Sequence, residues 1–167
     1  MRRAAALLLA LGLGACQHTP VAGEGAVFQG IVSVVEDNGE ANLHADGRMV
    51  HPPPSFGIRG SFGPADAGGG VRLRVDGGNA AASLSLQARL PGDRAGSAPT
   101  ERLFVLLPAA DGTAIPHEGS GTVRVTEIVP QEPGRDRIRA RYEGRVCTGD
   151  DVCVAVAGAF AFTRDTR

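Results

Sequence analysis

An unbroken two-residue alternation near the end of the chain restricts the fold more than any other feature of the sequence. In residues 137–146 the even positions are apolar or small, while the odd positions carry four arginines and a glutamate. In residues 152–162 the even positions hold valine, glycine or phenylalanine, and the odd positions hold cysteine and alanine. Successive side chains of a strand point to opposite faces, so this pattern is typical of two strands that each bury one face.

The two segments pair well in one register, with residues 148–152 as the hairpin loop. That register sets Cys147 opposite Cys153 on the outward face and Tyr142 opposite Gly158 on the inward face. A shift of one residue would place apolar side chains opposite polar ones along the hairpin. Directly opposed strand residues have Cα atoms about 4.5–5.5 Å apart, which a disulfide accepts. We therefore predict a structural disulfide; a metal or redox pair is the alternative, and neither the spacing nor an adjacent histidine favours it.

Short alternating segments separated by turn residues continue through the rest of the chain. Residues 79–90 are ambiguous, because their Asn-Ala-Ala-Ala start suits a helix while the later alternation favours a strand. We predict an all-β domain, an antiparallel β-sandwich or small barrel of about eight strands, with the C-terminal hairpin closed by the disulfide. The segments with strand character are residues 28–35, 41–45, 48–50, 55–62, 71–76, 82–90, 103–107, 122–129, 137–146 and 152–162.

The first 16 residues have the features of an export signal. Arg2 and Arg3 form a positive start, and residues 4–13 are an apolar run about half as long as a bilayer span. Residues 13–16 follow with the sequence Leu-Gly-Ala-Cys. These four residues resemble the lipobox of bacterial lipoproteins, in which the signal is cut before the cysteine and the cysteine thiol takes up a diacylglyceryl group. The alternative is an ordinary export signal in which Cys16 stays unmodified.

The resemblance implies attachment to a membrane through a lipid on Cys16. The expected division is a signal peptide at 1–15, a lipidated tether at 16–26 and a single β domain at 27–167. Aspartate after the lipobox cysteine typically signals retention in the inner membrane, and this chain has Gln17 there. The resemblance therefore implies an outer-membrane lipoprotein whose domain faces the periplasm, an oxidising compartment where a disulfide persists.

No motif in the sequence identifies a catalytic or metal site. His44, His51 and His117 lack ligand spacing, so we expect separate surface histidines. The paired aspartates of the hairpin loop supply too few oxygens for a calcium site. Residues 118–121, Glu-Gly-Ser-Gly, lack the first glycine of a hydrolase nucleophile turn. We therefore expect no cofactor, no metal and no catalytic activity.

The outward face of the hairpin is the one surface that the sequence singles out for binding. It carries four arginines, with Arg124 as a candidate neighbour, opposite a row of alanines: Arg137, Arg139, Arg141 and Arg145. Such a strip can contact anionic lipid headgroups or an acidic partner surface. The alternative is a solvated face whose arginine stems cover the alanine methyl groups.

The formal net charge of −1, from 17 basic and 18 acidic residues, argues against a nucleic-acid binder. The leading functional hypothesis is a lipid-anchored envelope protein, a non-catalytic binding or structural domain that docks on another envelope component, with an envelope protein as its candidate partner. A carrier of a small apolar ligand is the second hypothesis, if the sheet encloses a cavity. An envelope hydrolase is the third, and it would need a base and a nucleophile that meet only in the fold.

Overall fold

The structure is a computed structural model that describes residues 37–50, 56–65 and 69–166. Cys16, the predicted tether, the predicted strand at 28–35 and His51 lie outside these residues. Within them, no helical segment has the length and apolarity needed to cross a bilayer. The described residues belong to one compact unit.

The alternating segments form strands, and the all-β prediction is confirmed. The strands are β1 (Gly39–Ala41), β2 (His44–Ala45), β3 (Arg48–Met49), β4 (Phe56–Pro64), β5 (Val71–Gly78), β6 (Ser83–Leu90), β7 (Gly96–Pro108), β8 (Ala114–Glu132), β9 (Arg135–Cys147) and β10 (Cys153–Asp165). The ambiguous segment is strand β6. Its asparagine, Asn79, does not start a helix but holds the preceding turn, where its side-chain oxygen accepts bonds from the N–H groups of Ala81 at 2.9 Å and Ala82 at 3.0 Å.

Eight of these strands form a closed antiparallel ring. The order around the ring is β1-β4-β5-β6-β7-β8-β9-β10, and it closes because β1 pairs with both β4 and β10. Strands β2 and β3 form a small hairpin attached to β10 beside β1. Asp46 and Gly47 turn that hairpin with positive φ angles of 48° and 74°, which suits a tight mirror-image turn. Of the two predicted architectures, the ring corresponds to the small barrel.

Inward side chains from all around the ring fill its interior. The largest of those less than 2% exposed are Phe162, Ile58, Leu73, Leu84, Leu86, Leu90, Leu103 and Ile138. Full burial of one such side chain stabilises the fold by about 1.5–3 kcal/mol. The interior is therefore a packed core, and the cavities described below open to solvent at the surface.

Strands β9 and β10 pair in the predicted register. Tyr142 stands opposite Gly158, and Cys147 stands opposite Cys153. The two sulfur atoms are bonded at 2.06 Å, and the two Cα atoms are 4.0 Å apart. The predicted disulfide is confirmed, and it lies at the loop end of the hairpin.

The ring closes along residues 38–46, which we call the seam strand. Its pairing with β10 is interrupted between β1 and β2, and side chains supply the missing bonds. The side-chain oxygen of Asn42 accepts a bond from the Ala159 N–H at 2.8 Å, and the carboxylate of Asp46 accepts one from the Ala155 N–H at 2.9 Å. The seam strand is therefore held partly by side chains in place of main-chain carbonyls.

Asn38 joins β4 to β10 at the start of the seam strand. Its side-chain amide donates to the carbonyl of Gly60 at 2.7 Å and to the carbonyl of Thr163 at 2.8 Å. Its side-chain oxygen accepts a bond from the Gly60 N–H at 2.7 Å. These three bonds add to two that the Asn38 backbone makes: its N–H donates to the Ile58 carbonyl at 3.1 Å, and its carbonyl accepts from the Thr163 N–H at 2.9 Å.

Tyr142 joins the hairpin to the seam strand from inside the ring. Its hydroxyl donates to the main-chain carbonyl of Asn42 at 2.8 Å. The aromatic ring of Tyr142 passes beneath Gly158, where a Cβ atom would lie 2.6 Å from the phenol oxygen. Glycine is therefore required at that position, and burial raises the pKa of the Tyr142 phenol.

Arg164 ties several strands together at the end of the ring where Asn38 lies. Its guanidinium forms ion pairs with Asp93 and Asp136, each at 2.9 Å, and donates to the Phe62 carbonyl at 3.1 Å. It also lies 5.2 Å from the centroid of the Phe62 ring. Burial alone would lower the pKa of Arg164, but the hydrogen bonds and charges of the two aspartates raise it overall. This group links β4, the β6–β7 turn, β9 and β10.

Candidate functional site

The outer face of β8, β9 and β10 carries the predicted arginines. The continuous β9–β10 ladder fixes the register, so alternate residues of β9 point outward together. We call this surface the cationic face; its arginines are Arg124, Arg137, Arg139, Arg141 and Arg145. On β10, directly opposite the outward residues of β9, lies a row of alanines: Ala155, Ala157, Ala159 and Ala161.

Ion pairing divides the cationic face into two halves. Arg137 lies 3.6 Å from Glu40, and Arg139 lies 3.0 Å from Glu127. These two arginines are therefore neutralised within the fold. Arg141 and Arg145 lie nearer the disulfide, and neither forms an ion pair with a residue that the structure describes.

Arg124 and Arg141 stand directly opposite each other across β8 and β9. Both side chains are exposed, and within the described ranges Arg124 also has no ion pair. Like charges directly opposite each other in a sheet are destabilising, by up to about 1 kcal/mol. The fold therefore gains nothing from this pairing, which makes the two arginines the strongest candidates for a binding role.

A groove runs beside Arg141, with the alanine row as its floor; Arg124 lies on the other side of Arg141 from the groove. Two cavities of about 460 and 750 Å³ meet at Asn42, Arg141 and Ala159. The groove exists because an alanine methyl is short, whereas the side chains of β9 and the seam strand stand above it on either side. Ala155 and Ala157 are exposed, so arginine stems do not cover the disulfide end of the row.

The charges of the cationic face suit an oxyanion. Each guanidinium offers five N–H donors in a planar fork that matches phosphate or carboxylate oxygens. Glu143 interrupts the positive charge, because it lies outward between Arg141 and Arg145, opposite Thr122 and Ala157. The most positive position is consequently the Arg124–Arg141 pair rather than the whole strip.

Among the residues that the structure describes, the other sequence candidates do not converge on a site. His44 is half-buried on β2, whereas His117 is buried on β8, with its Nδ1 atom 3.0 Å from the Ile115 carbonyl. The prediction that His117 is a surface histidine was wrong, because its position in the β8 alternation points it inward. Residues 118–121 lie within strand β8, and the paired aspartates lie exposed in the hairpin loop. In the described part of the chain, no group of three or more histidine, cysteine or acidic residues is arranged to hold a metal ion.

Sequence reasoning identified the arginines of β9 but missed the importance of Arg124. The alternation of residues 122–129 places Arg124 outward, yet its partner on β9 depends on how β8 and β9 align. That alignment is irregular between Val125 and Glu127, so counting along the strands could not establish it. Only the direct opposition to Arg141 distinguishes Arg124 from an ordinary surface arginine.

Comparison of the chain with protein families, with curated protein sequences and with solved structures finds no match. The function proposed below therefore depends on the residues and contacts of this chain alone.

Proposed function

We propose that this protein is a lipid-anchored envelope protein, a non-catalytic domain that docks on another component of the bacterial envelope through its cationic face. The observation that supports the docking role is the half of that face whose arginines form no ion pair with described residues. Arg124, Arg141 and Arg145 are exposed and form no ion pair within the described ranges, and Arg141 borders the groove. Charges that are not used to stabilise the fold remain available to an anionic partner.

The anchor is proposed from the lipobox resemblance at Cys16. Asp37, where the described fold begins, follows Cys16 by 21 positions along the chain. A segment of that length reaches at most about 75 Å, so a lipid on Cys16 would keep the domain close to a membrane surface. Gln17 favours the outer membrane as that surface, with the domain in the periplasm.

Labelling cells with radioactive palmitate tests the anchor. We expect label on the wild-type chain in the outer-membrane fraction and no label on a Cys16→Ser variant. The double variant Cys147→Ser/Cys153→Ser is the matched control, because it removes the other two cysteines and keeps the lipobox. An unlabelled, unprocessed wild-type chain would contradict the anchor.

Charge reversal on the cationic face tests the docking role. We expect Arg141→Glu/Arg145→Glu to reduce chemical crosslinking to envelope components in intact cells without unfolding the domain, because neither arginine has an ion pair in the described part of the chain. The control is Arg94→Glu/Arg102→Glu, which changes the charge equally at exposed positions on other strands and turns. Equal crosslinking by all three proteins would refute docking through this face.

A carrier of a small apolar ligand is the less favoured alternative. A carrier needs an enclosed apolar space, and large side chains such as Phe160 and Phe162 occupy the inside of the ring. A hydrolase has less support still, because His117 is buried with its Nδ1 beside a main-chain carbonyl.

A further inference from the structure

The Arg124–Arg141 pair differs from every ion-paired arginine of the cationic face in what surrounds it. Across the strands, the same outward row continues from Arg124 and Arg141 to Ala159 and then Asn42. Two cations thus face each other beside a methyl group and an amide. The two neighbouring acids, Glu40 and Glu127, are already paired with Arg137 and Arg139.

We propose that Arg124 and Arg141 together bind the phosphate of an anionic phospholipid, with part of the lipid lying on the alanine row. This inference rests on the proposed function, because it names the partner of the same face. Two guanidiniums can each donate to a different oxygen of one phosphate, and the bound negative charge removes the repulsion between them. The ligand therefore relieves a strain that the sheet otherwise carries.

The floor of the groove favours a lipid over an acidic peptide. The alanine row lies on the face of the sheet, and the backbone of β10 pairs with β9 on one side and with the seam strand on the other. A peptide in the groove would bury its own N–H and C=O groups without main-chain partners, which is unfavourable. A hydrocarbon chain has no N–H or C=O groups, so it loses no hydrogen bonds when it lies in the groove.

The width of the groove also suits a single chain. Neighbouring strands are about 4.8 Å apart, so β9 and the seam strand are separated by roughly 9.6 Å across β10. The exposed methyl groups of Ala155 and Ala157 extend the apolar floor away from the guanidinium pair. A phosphate on the arginines and a short stretch of hydrocarbon on the alanines fit this order of polar and apolar groups.

Substitution of Glu143 offers a second test of phosphate binding at the arginine pair. It is the next outward residue after Arg141 on β9, on the groove side of the face, and it lines the larger cavity. Its negative charge opposes a phosphate on the neighbouring pair. We expect Glu143→Gln to strengthen binding, whereas a role confined to packing would leave binding unchanged.

Vesicle sedimentation tests the inference with residues 16–167 carrying Cys16→Ser, so that neither the predicted signal peptide nor an attached lipid contributes. The vesicles are phosphatidylcholine with or without phosphatidylglycerol. We expect binding that requires phosphatidylglycerol and that weakens about thirtyfold in Arg124→Gln/Arg141→Gln, since each basic residue near an anionic surface contributes about 1 kcal/mol. The matched control is Arg137→Gln/Arg139→Gln, which removes the same charge from the ion-paired half and should weaken binding by less than about threefold.

Three results would overturn the inference. Equal weakening in both double variants would mean that the face attracts anionic surfaces without a site. Binding of inorganic phosphate, detected by phosphorus NMR, without binding to vesicles would exclude the lipid. Tighter binding of a polyglutamate peptide than of vesicles would assign the face to an acidic protein instead. Thermal unfolding checks that each variant is folded. The palmitate label tests the anchor separately, so a negative vesicle result would leave the proposed anchor standing, and a missing label would leave the vesicle result interpretable.

Discussion

The C-terminal hairpin and the seam strand lie side by side, yet they are held in opposite ways. The hairpin has a continuous ladder of thirteen opposed residue pairs and a disulfide at its end. The seam strand pairs with β10 through only three residues of β1 and two of β2. Beyond these pairs, isolated main-chain bonds at Asn38, Asn42 and Asp46 are supplemented by side-chain bonds from four residues: Asn38, Asn42, Asp46 and Tyr142.

This difference shows that a strand with only a few backbone pairs can complete a closed sheet when side chains supplement its backbone bonds. Regular pairing tolerates many substitutions, because each ladder bond depends on the main chain. A side-chain bridge depends on the identity of one residue. We therefore expect single substitutions to disturb the seam strand more than the hairpin.

The largest effect is expected for Asn38→Ala. The change removes three hydrogen bonds that join β4 to β10, each contributing about 1 kcal/mol, so the free energy of unfolding should fall by about 3 kcal/mol. Chemical denaturation measures this loss. Hydrogen exchange should also accelerate at Gly60 and Thr163 more than at residues in the middle of the hairpin.

Asn79→Ala is the matched control for that change. The side chain of Asn79 also bonds to the backbone, accepting two hydrogen bonds, but it does so at an exposed turn where water can replace it. A loss for Asn79→Ala as large as the loss for Asn38→Ala would contradict the special role of the seam strand.

A smaller effect is expected when the disulfide is removed. The double variant Cys147→Ala/Cys153→Ala frees a short loop, which should lower the free energy of unfolding by about 2.4 kcal/mol. The register should persist, because the ladder of main-chain bonds and the inward apolar side chains remain. Hydrogen exchange that accelerates along the whole hairpin would instead show that the disulfide, and not the ladder, sets the register.

The smallest effect at neutral pH is expected for Tyr142→Phe. This change removes one hydrogen bond to the seam strand, so the free energy of unfolding should fall by about 1 kcal/mol. The wild-type protein should in addition lose stability as the pH rises above 10. Burial raises the pKa of Tyr142 in the folded state, so the unfolded chain releases this proton first and is favoured in alkali.

This alkaline loss can be followed without a label, because Tyr142 is the single tyrosine of the chain. Its tyrosinate absorbance should appear together with unfolding. The Tyr142→Phe variant should lack this contribution to the pH dependence. Absorbance that rises in the folded protein near pH 10 would mean that the phenol is accessible to water.

Much of the hairpin could be predicted because its information is local. Within residues 138–146 and 154–162, each inward position is apolar or small, each outward position is charged or alanine, and the two cysteines select the same register as the apolar pattern. The strand character of β6 followed from the same periodicity. In these segments the sequence pattern and the packing require the same arrangement.

The closure of the ring could not be predicted, because it depends on contacts between distant residues. Nothing in the sequence near Asn38 shows that its amide meets Gly60 and Thr163, and Arg164 gives no sign that it meets Asp93 and Asp136. The choice between sandwich and barrel depended on these contacts. For the candidate site, alternation placed the arginines of β9 outward, but only the relative alignment of β8 and β9 identified the opposed pair.

The hydrogen bond between Asn38 and Thr163 joins residues that are 125 positions apart. When the chain emerges from its N-terminus, the early strands are therefore present before the partner that completes them. Until then the open edges of neighbouring strands can recruit other unfolded chains, and contacts of such long separation form slowly. The protein should consequently depend on chaperones during its biogenesis, and its refolding yield should fall steeply as the concentration is raised.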